Sequence, residues 1–291
     1  MASHPSFEWK QFFKRLYERA FEADVFSRSA EIAFYFSFAL FPLLLFLISL
    51  LGIILVSADG VKRELFIYLR QIMPLQVYDL VRATIDEVVD KSSSGKLTLG
   101  LLFTLWSASA GFDAVRNGLN GVYRVRETRP WWRTKLQSLL LTFVITTLAG
   151  FILALVFYGW QLFGVMLSAI GLEVSSPWVL TVIQWIAALL LIFLICELMY
   201  NLLPNRHQFT WLRVMPGSVV AILLWILFSA IFRIYLAHFD TYNKAYGSLG
   251  AVIVMMLWLY LTASALMVGG AINSVLRQMW LERARDAEPD S

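Results

Sequence analysis

Glu197 stands inside an apolar run, Leu189–Leu203, with Tyr200 and Asn201 three and four residues further on. That spacing puts a carboxyl, a phenol and an amide on one face of a helix. An ionisable group in hydrocarbon surroundings is costly and faces a bundle interior or a wet cavity. Two readings follow: a proton-coupling or substrate-binding carboxyl, or a structural hydrogen bond to a neighbouring helix. Arg233, with Asp240 seven residues on, reads either as an anion site facing a cavity or as a guanidinium snorkelling to the interface. Asp113, Arg116 and Asn117 can cluster at i, i+3 and i+4, as an internal ion pair at a helix end or as part of a substrate path. Arg124, Arg126, Arg129, Arg133 and Lys135 form a basic stretch around Trp131-Trp132. Basic and aromatic residues together can hold single-stranded nucleic acid. A positive loop with interfacial tryptophans accounts for the same residues without any nucleic acid, and its charge attracts anionic headgroups.

Other chemistry lacks its parts. The three histidines, His4, His207 and His238, are scattered, and no HExxH, P-loop or GxSxG spacing occurs. Cys196 is the only cysteine, which rules out an intrachain disulfide and a cysteine-based zinc site. The expectation is a protein that is not an enzyme and uses no cofactor and no metal.

The elements that must position these residues are six apolar segments: Ile32–Val56, Leu97–Leu119, Leu139–Leu167, Val179–Leu203, Val214–Ala237 and Leu249–Leu276. Roughly 20 helical residues cross a bilayer core, and each segment meets that length. Hydrophobic residues make up 59% of the chain and charged residues 15%, against about 25% charged in a soluble domain. The first segment is too long for a signal-peptide core and no small-residue cleavage site follows it, so it reads as a retained span. Lys10, Lys14, Arg15, Arg19 and Arg28 precede it, loop two carries the basic stretch, loop four Arg206 and Arg213, and the tail Arg277, Arg283 and Arg285. Loop three (168–178) has no Lys or Arg and loop five only Lys244. The positive-inside rule then places both termini in the cytoplasm.

Outside the spans, Trp9, Phe12, Phe13, Leu16, Tyr17, Ala20 and Phe21 recur at helical spacing, opposite Lys10, Lys14, Glu18 and Glu22. This is the pattern of an amphipathic helix in the headgroup layer, as an anchor or as a gate. The first external loop reads as two helices, about 61–72 and 75–89, broken at Pro74, forming a cap or a lid. Pro42 interrupts the first span and removes one helical hydrogen bond, so a kink is expected there. Small residues at Ser107, Gly111 and Ala114 permit close helix approach, and self-association with it. Expected boundaries are 1–31 for the interfacial helix, 32–276 for the six-span domain with its external cap at about 57–95, and 277–291 for a charged tail.

Ala33-Phe34-Tyr35-Phe36 with Phe41-Pro42-Leu43-Leu44 is similar to the first span of the YihY/BrkB family of bacterial inner-membrane proteins. Leu105-Trp106-Ser107-Ala108-Ser109, then Asn117, Asn120, Tyr123 and Arg129-Pro130, resembles its second span and loop. Tyr200 to Arg206 with Pro216-Gly217 resembles its fourth loop. Tyr246 to Ala251, Leu257 to Tyr260 and Gly269-Gly270-Ala271-Ile272-Asn273 form the most specific part of the likeness. The family often carries an acidic residue before that last Asn, and this chain does not. The resemblance covers roughly residues 30 to 276 and implies an all-α, six-span protein of the bacterial inner membrane. It also brings a former ribonuclease label, which these residues give no reason to support, a virulence label, and a link to export of envelope lipids. The expectation is a transporter or flippase-like protein for envelope lipids or another amphipathic anion, with anionic membrane lipids as partners and no nucleic acid. Glu197, Asn201, Arg233, Asp113, Arg116 and Pro42 would line or gate the path, and Arg124, Arg126, Arg129, Arg133 and Lys135 would draw in the headgroup. The alternative is a scaffold for envelope assembly, bound to a protein partner or a second copy, without a conduit.

Overall fold

The computed structural model describes residues 8–55, 82, 95–169, 176–205, 211–238 and 248–286. These form seven helices: α1 Trp9–Glu22, α2 Val25–Leu55, α3 Gly95–Val122, α4 Trp131–Ala169, α5 Pro177–Leu202, α6 Trp211–His238 and α7 Ser248–Asp286. All the regular structure among the described residues is helical. Stretches of α4, α5, α6 and α7 are long and apolar enough to cross a membrane: Trp131–Gly159, Trp178–Leu202, Met215–Leu236 and Val252–Arg283. Nearly all of the expected external cap, residues 170–175 of loop three and most of loop five lie outside the described residues, as do residues 287–291 of the tail.

Local chemistry sets the helix ends. α1 stops at Asp24, whose φ of 50° lies in the left-handed region that aspartate tolerates better than most residues. Ser27 Oγ donates to Asp24 Oδ1 at 2.8 Å and the chain turns directly into α2. α2 therefore begins seven residues before the expected apolar segment. It runs through Pro42 as one continuous helix, so the expected interruption does not end the element. Pro130 precedes α4, and its carbonyl accepts from the Arg133 and Thr134 amides of the first turn. Pro177 opens α5, where its missing N–H leaves no bond unmade. Pro204 lies just past the other end of α5 and cannot extend it. At its far end α7 continues as helix to Asp286, past the point where the charged tail was expected to start.

The six long helices close into a ring in chain order. α2 packs on α3, α3 on α4, α4 on α5, α5 on α6, α6 on α7, and α7 returns to α2. From α3 to α7 consecutive helices follow one another through connections of ten residues or fewer, which favours neighbours in the chain as neighbours in the ring. Among the described residues, buried side chains concentrate at one end of the ring. This is the end that carries α1, the 123–130 loop, Pro204 and the end of α7. Val25, Val115, Leu119, Val122, Tyr200, Leu203 and Met267 are all but inaccessible there. α1 lies across that end against α7 and α2. Phe12 and Arg19 face inward, while Trp9, Phe13, Tyr17 and Phe21, spaced four apart, stand exposed in a stripe.

Candidate functional site: a buried carboxyl beside an apolar cavity

Glu197 is fully buried on α5. Ser218 Oγ of α6 donates to its Oε1 at 2.6 Å, and Asn201 Nδ2 donates to its Oε2 at 3.2 Å. The same Asn201 amide donates to the Glu197 carbonyl at 3.0 Å, one turn back on α5. Tyr200 completes that face of α5, its hydroxyl donating to the Leu266 carbonyl of α7 at 2.6 Å. The i, i+3, i+4 pattern thus brings together the three groups that the sequence singles out, and the tertiary fold adds Ser218.

Ser218 owes its position to the residue before it. A Cβ on Gly217 would collide with the Gly269 carbonyl and with Asn273 on α7, and one on Gly269 would meet the Gly217 carbonyl at 2.5 Å. Only glycine at both positions allows so close a crossing. The Gly217 amide donates to Asn273 Oδ1 at 2.8 Å, although Pro216 beside it lies inside α6. Sequence reasoning missed Ser218 and this crossing. The Pro216-Gly217 and Gly269-Gly270 pairs were its only visible signal.

Next to the carboxyl lies a cavity of about 420 Å³. All six long helices contribute to its wall: Phe36 from α2, Phe112 from α3, Ile145 and Ala149 from α4, Cys196 and Met199 from α5, Trp225 from α6 and Trp258 from α7. Its surface is almost wholly hydrocarbon and aromatic. A space of this size falls in the range of ligand sites, and an apolar one excludes water in favour of hydrocarbon. Cys196 and Met199 flank Glu197 in sequence, so the carboxyl sits behind one wall of the cavity.

The other sequence candidates go elsewhere. Arg233 is exposed on α6, and at 1.5 Å per residue it lies about 22 Å along the helix from Ser218, so it does not meet Glu197. Its expected companion Asp240 lies outside the described residues. Pro42 is half-buried in α2 and is not among the cavity residues. Asp113 Oδ1 accepts from Arg116 Nη1 and from Ser138 Oγ at 2.8 and 2.6 Å, and Asp113 Oδ2 accepts from Lys135 Nζ at 3.0 Å. Arg116 also donates to Ser138 Oγ and to the Thr134 carbonyl. This network ties α3 to the start of α4. Asn117 is exposed and stands outside it.

The basic stretch divides in two. Arg129 binds Glu127 through Nε and Nη2, both at 2.8 Å, and also donates to Gln137 Oε1 and the Leu203 carbonyl. Held mainly by Arg129, with Asn120 assisting, the Glu127 carboxyl is lowered to about pKa 2. Asn120 Oδ1 in turn accepts from the Asn205 amide at 2.8 Å. These groups lock the loop to the end of α5. Lys135 serves Asp113 and lies 4.6 Å from the Trp106 ring centre. Arg124 pairs with Glu22 of α1. Arg126 and Arg133 are exposed, Arg133 resting over Trp132. Arg19, like Arg116, is a buried cation at this end. It donates to the Val122 carbonyl at 3.1 Å, to Gln278 Oε1 at 2.7 Å and to Ser274, so it clamps α1 to α3 and α7.

A ring of long apolar helices around a hydrocarbon-lined cavity defines a multi-pass α-helical membrane protein. The chain belongs to the family described as virulence factor BrkB, whose model matches residues 16–291. It is 31% identical over 267 residues to the putative ribonuclease-like protein YfkH of Bacillus subtilis (strain 168), spanning 92% of this chain and 95% of that one. It is 27% identical to a UPF0761 membrane protein of Tolumonas auensis and 27% identical to one of Stenotrophomonas maltophilia (strain R551-3). The chain spans 62% and 42% of the length of these two relatives. No solved structure matches it. Among the described residues, no three His, Cys, Asp or Glu side chains gather as ligands of a metal ion would.

Proposed function

We propose that this protein binds the hydrocarbon part of an envelope lipid, or of a similar amphipathic anion, and carries it across or along the bacterial inner membrane without chemical change. The apolar cavity walled by all six long helices is the observation that carries this reading. Burying hydrocarbon is favourable by about 0.8 kcal/mol per methylene, so an alkyl chain is the occupant such a lining selects. In this reading α2 and α3 are spans like the other four long helices, and both termini are cytoplasmic. α1 rests in the headgroup layer on its exposed aromatic stripe. Arg126 and Arg133, together with the lysines of α1, draw in the anionic headgroup. Arg116, Arg129 and Lys135 hold the protein's own carboxylates, and their part is to keep the cavity's floor in place. A scaffold without a conduit has no use for a cavity of this size, which favours the transport reading over it.

Native mass spectrometry of the protein in mild detergent tests the proposal. A lipid is expected to survive delipidation, and Ala149→Phe, which fills the cavity from α4, is expected to reduce its retention at least tenfold with little change in melting temperature. A protein that carries no lipid, or one whose lipid is indifferent to Ala149→Phe, would overturn this reading. Co-purification of a stoichiometric protein partner in place of lipid would move weight to the scaffold.

A further inference from the structure

We propose that Glu197 is a proton-binding site whose occupancy sets the contact between α5 and α6 at the wall of the cavity. The site does not depend on what fills that cavity. Glu197 is fully buried, and the groups that hydrogen-bond its carboxyl, the Ser218 hydroxyl and the Asn201 amide, are both neutral. Neutral partners satisfy hydrogen bonds but do not compensate a charge, and an uncompensated charge at this depth is costly. A hydroxyl works in both directions: Ser218 donates to the carboxylate and accepts from the carboxylic acid. Asn201 donates to either form. The arrangement therefore accommodates two protonation states in hydrogen bonding while favouring the neutral one electrostatically, as a reversible proton carrier requires.

The surroundings leave Glu197 as the group that titrates. The ionisable neighbours are Cys196 and Tyr200 on α5 and Tyr123 at the end of α3. Residues 139–149 of α4, 215–222 of α6 and 263–275 of α7 contain no ionisable side chain, and Asp113 of α3 is engaged with Arg116, Ser138 and Lys135. The consequence reaches the cavity through α6. Ser218, Ala221, Ile222 and Trp225 stand at i, i+3, i+4 and i+7, one face of the helix, and the last three line the cavity. Immediately before Ser218, Gly217 fixes the crossing with α7. Loss of the proton would replace a neutral contact between Glu197 and Ser218 by one that attracts water or a cation, at the point where α6 is held to both neighbours.

Infrared titration of the purified protein in lipid nanodiscs tests this without any transported ligand. The wild type is expected to show a carboxylic-acid carbonyl band at neutral pH that disappears on alkaline titration and is missing in Glu197→Gln. Ser218→Ala, which keeps the acid and removes one hydrogen bond, is expected to shift that band, so the assignment stands even if Glu197→Gln folds poorly. Hydrogen exchange of residues 218–225, corrected for its intrinsic pH dependence, should change with the same midpoint in the wild type and stay constant in Glu197→Gln. Absence of the band at neutral pH would overturn the proposal, as would a band unmoved by alkali up to unfolding. Displacement of the band by sodium at fixed pH would make this a sodium site and also overturn it. None of these outcomes bears on lipid retention, so the two readings fail separately.

Discussion

Asp113 and Glu127 show how charge is used at the end of the ring that carries α1. Asp113 accepts from Arg116, Lys135 and Ser138 while about a quarter of its side chain remains exposed. Removing it leaves a buried guanidinium and a half-buried ammonium without their shared anion. Asp113→Ala is therefore expected to destabilise by about 3 kcal/mol, read as a lowered midpoint in detergent unfolding. Asp113→Asn, which retains hydrogen bonding, should lose less. Glu127 gives a pH signature. Its pKa of about 2 in the folded protein lies below the ordinary value of 4.5, so its contribution is complete above pH 4.5 and disappears as pH falls toward 2. Glu127→Gln should lower the melting temperature at neutral pH by the equivalent of about 2 kcal/mol, allowing for partial exposure. Wild type and variant should converge as the pH falls from 4.5 to 2. Parallel curves through that window would show that the Arg129 contact contributes no net stabilisation.

Among the helices, the crossing of α6 and α7 leaves the least room for change. The Gly217 and Gly269 backbones meet, and the Tyr200 hydroxyl lies against the same Gly269 position. Even a methyl group there has backbone for a neighbour, and backbone cannot rotate away. Gly269→Ala is expected to cost about 1–3 kcal/mol, and Gly269→Leu to abolish recovery of folded monodisperse protein. Gly111, where the neighbour is the ring of Phe36, should tolerate alanine far better. Equal thermal stability of Gly269→Ala and Gly111→Ala would show that the α6–α7 contact is looser than its geometry. The end helices follow a different rule. α1 is held by one buried cation, Arg19, and by pairs such as Arg15–Glu282 at 2.5 Å. Its aromatic stripe, Trp9, Phe13, Tyr17 and Phe21, is exposed among the described residues.

For the molecule as a whole, the ring in chain order has a testable orientation. The end with α1, the 123–130 loop and the end of α7 is tightly packed, charged and cross-linked by hydrogen bonds, and in the proposed orientation its positive residues face the cytoplasm. In a Cys196→Ala background, single cysteines at Ala2, Arg126 and Ser291 should all be labelled by a membrane-impermeant maleimide only after the inner membrane is opened. Labelling of any one of the three in intact spheroplasts would contradict a six-span topology with cytoplasmic termini.

Much of this organisation was legible in the chain, and the physical reason is consistent. Segment length against bilayer thickness identified the long helices, because each span must satisfy its own backbone bonds. Periodicity over Trp9–Phe21 indicated α1, and the i, i+3, i+4 spacing of Glu197, Tyr200 and Asn201 placed them on one face. All of these are relations within a single helix. Relations between helices were not legible. Nothing in the sequence says that Ser218 meets Glu197, that Arg19 turns inward while its aromatic neighbours turn outward, or that Arg129 serves Glu127 and a backbone carbonyl. Nor does it say that six apolar faces leave a space at their centre. In a membrane every helix is apolar nearly all round, so hydrophobicity does not reveal which side faces protein and which faces lipid. Close packing between small residues and hydrogen bonds between distant polar ones decide that, and both exist only once the helices have come together.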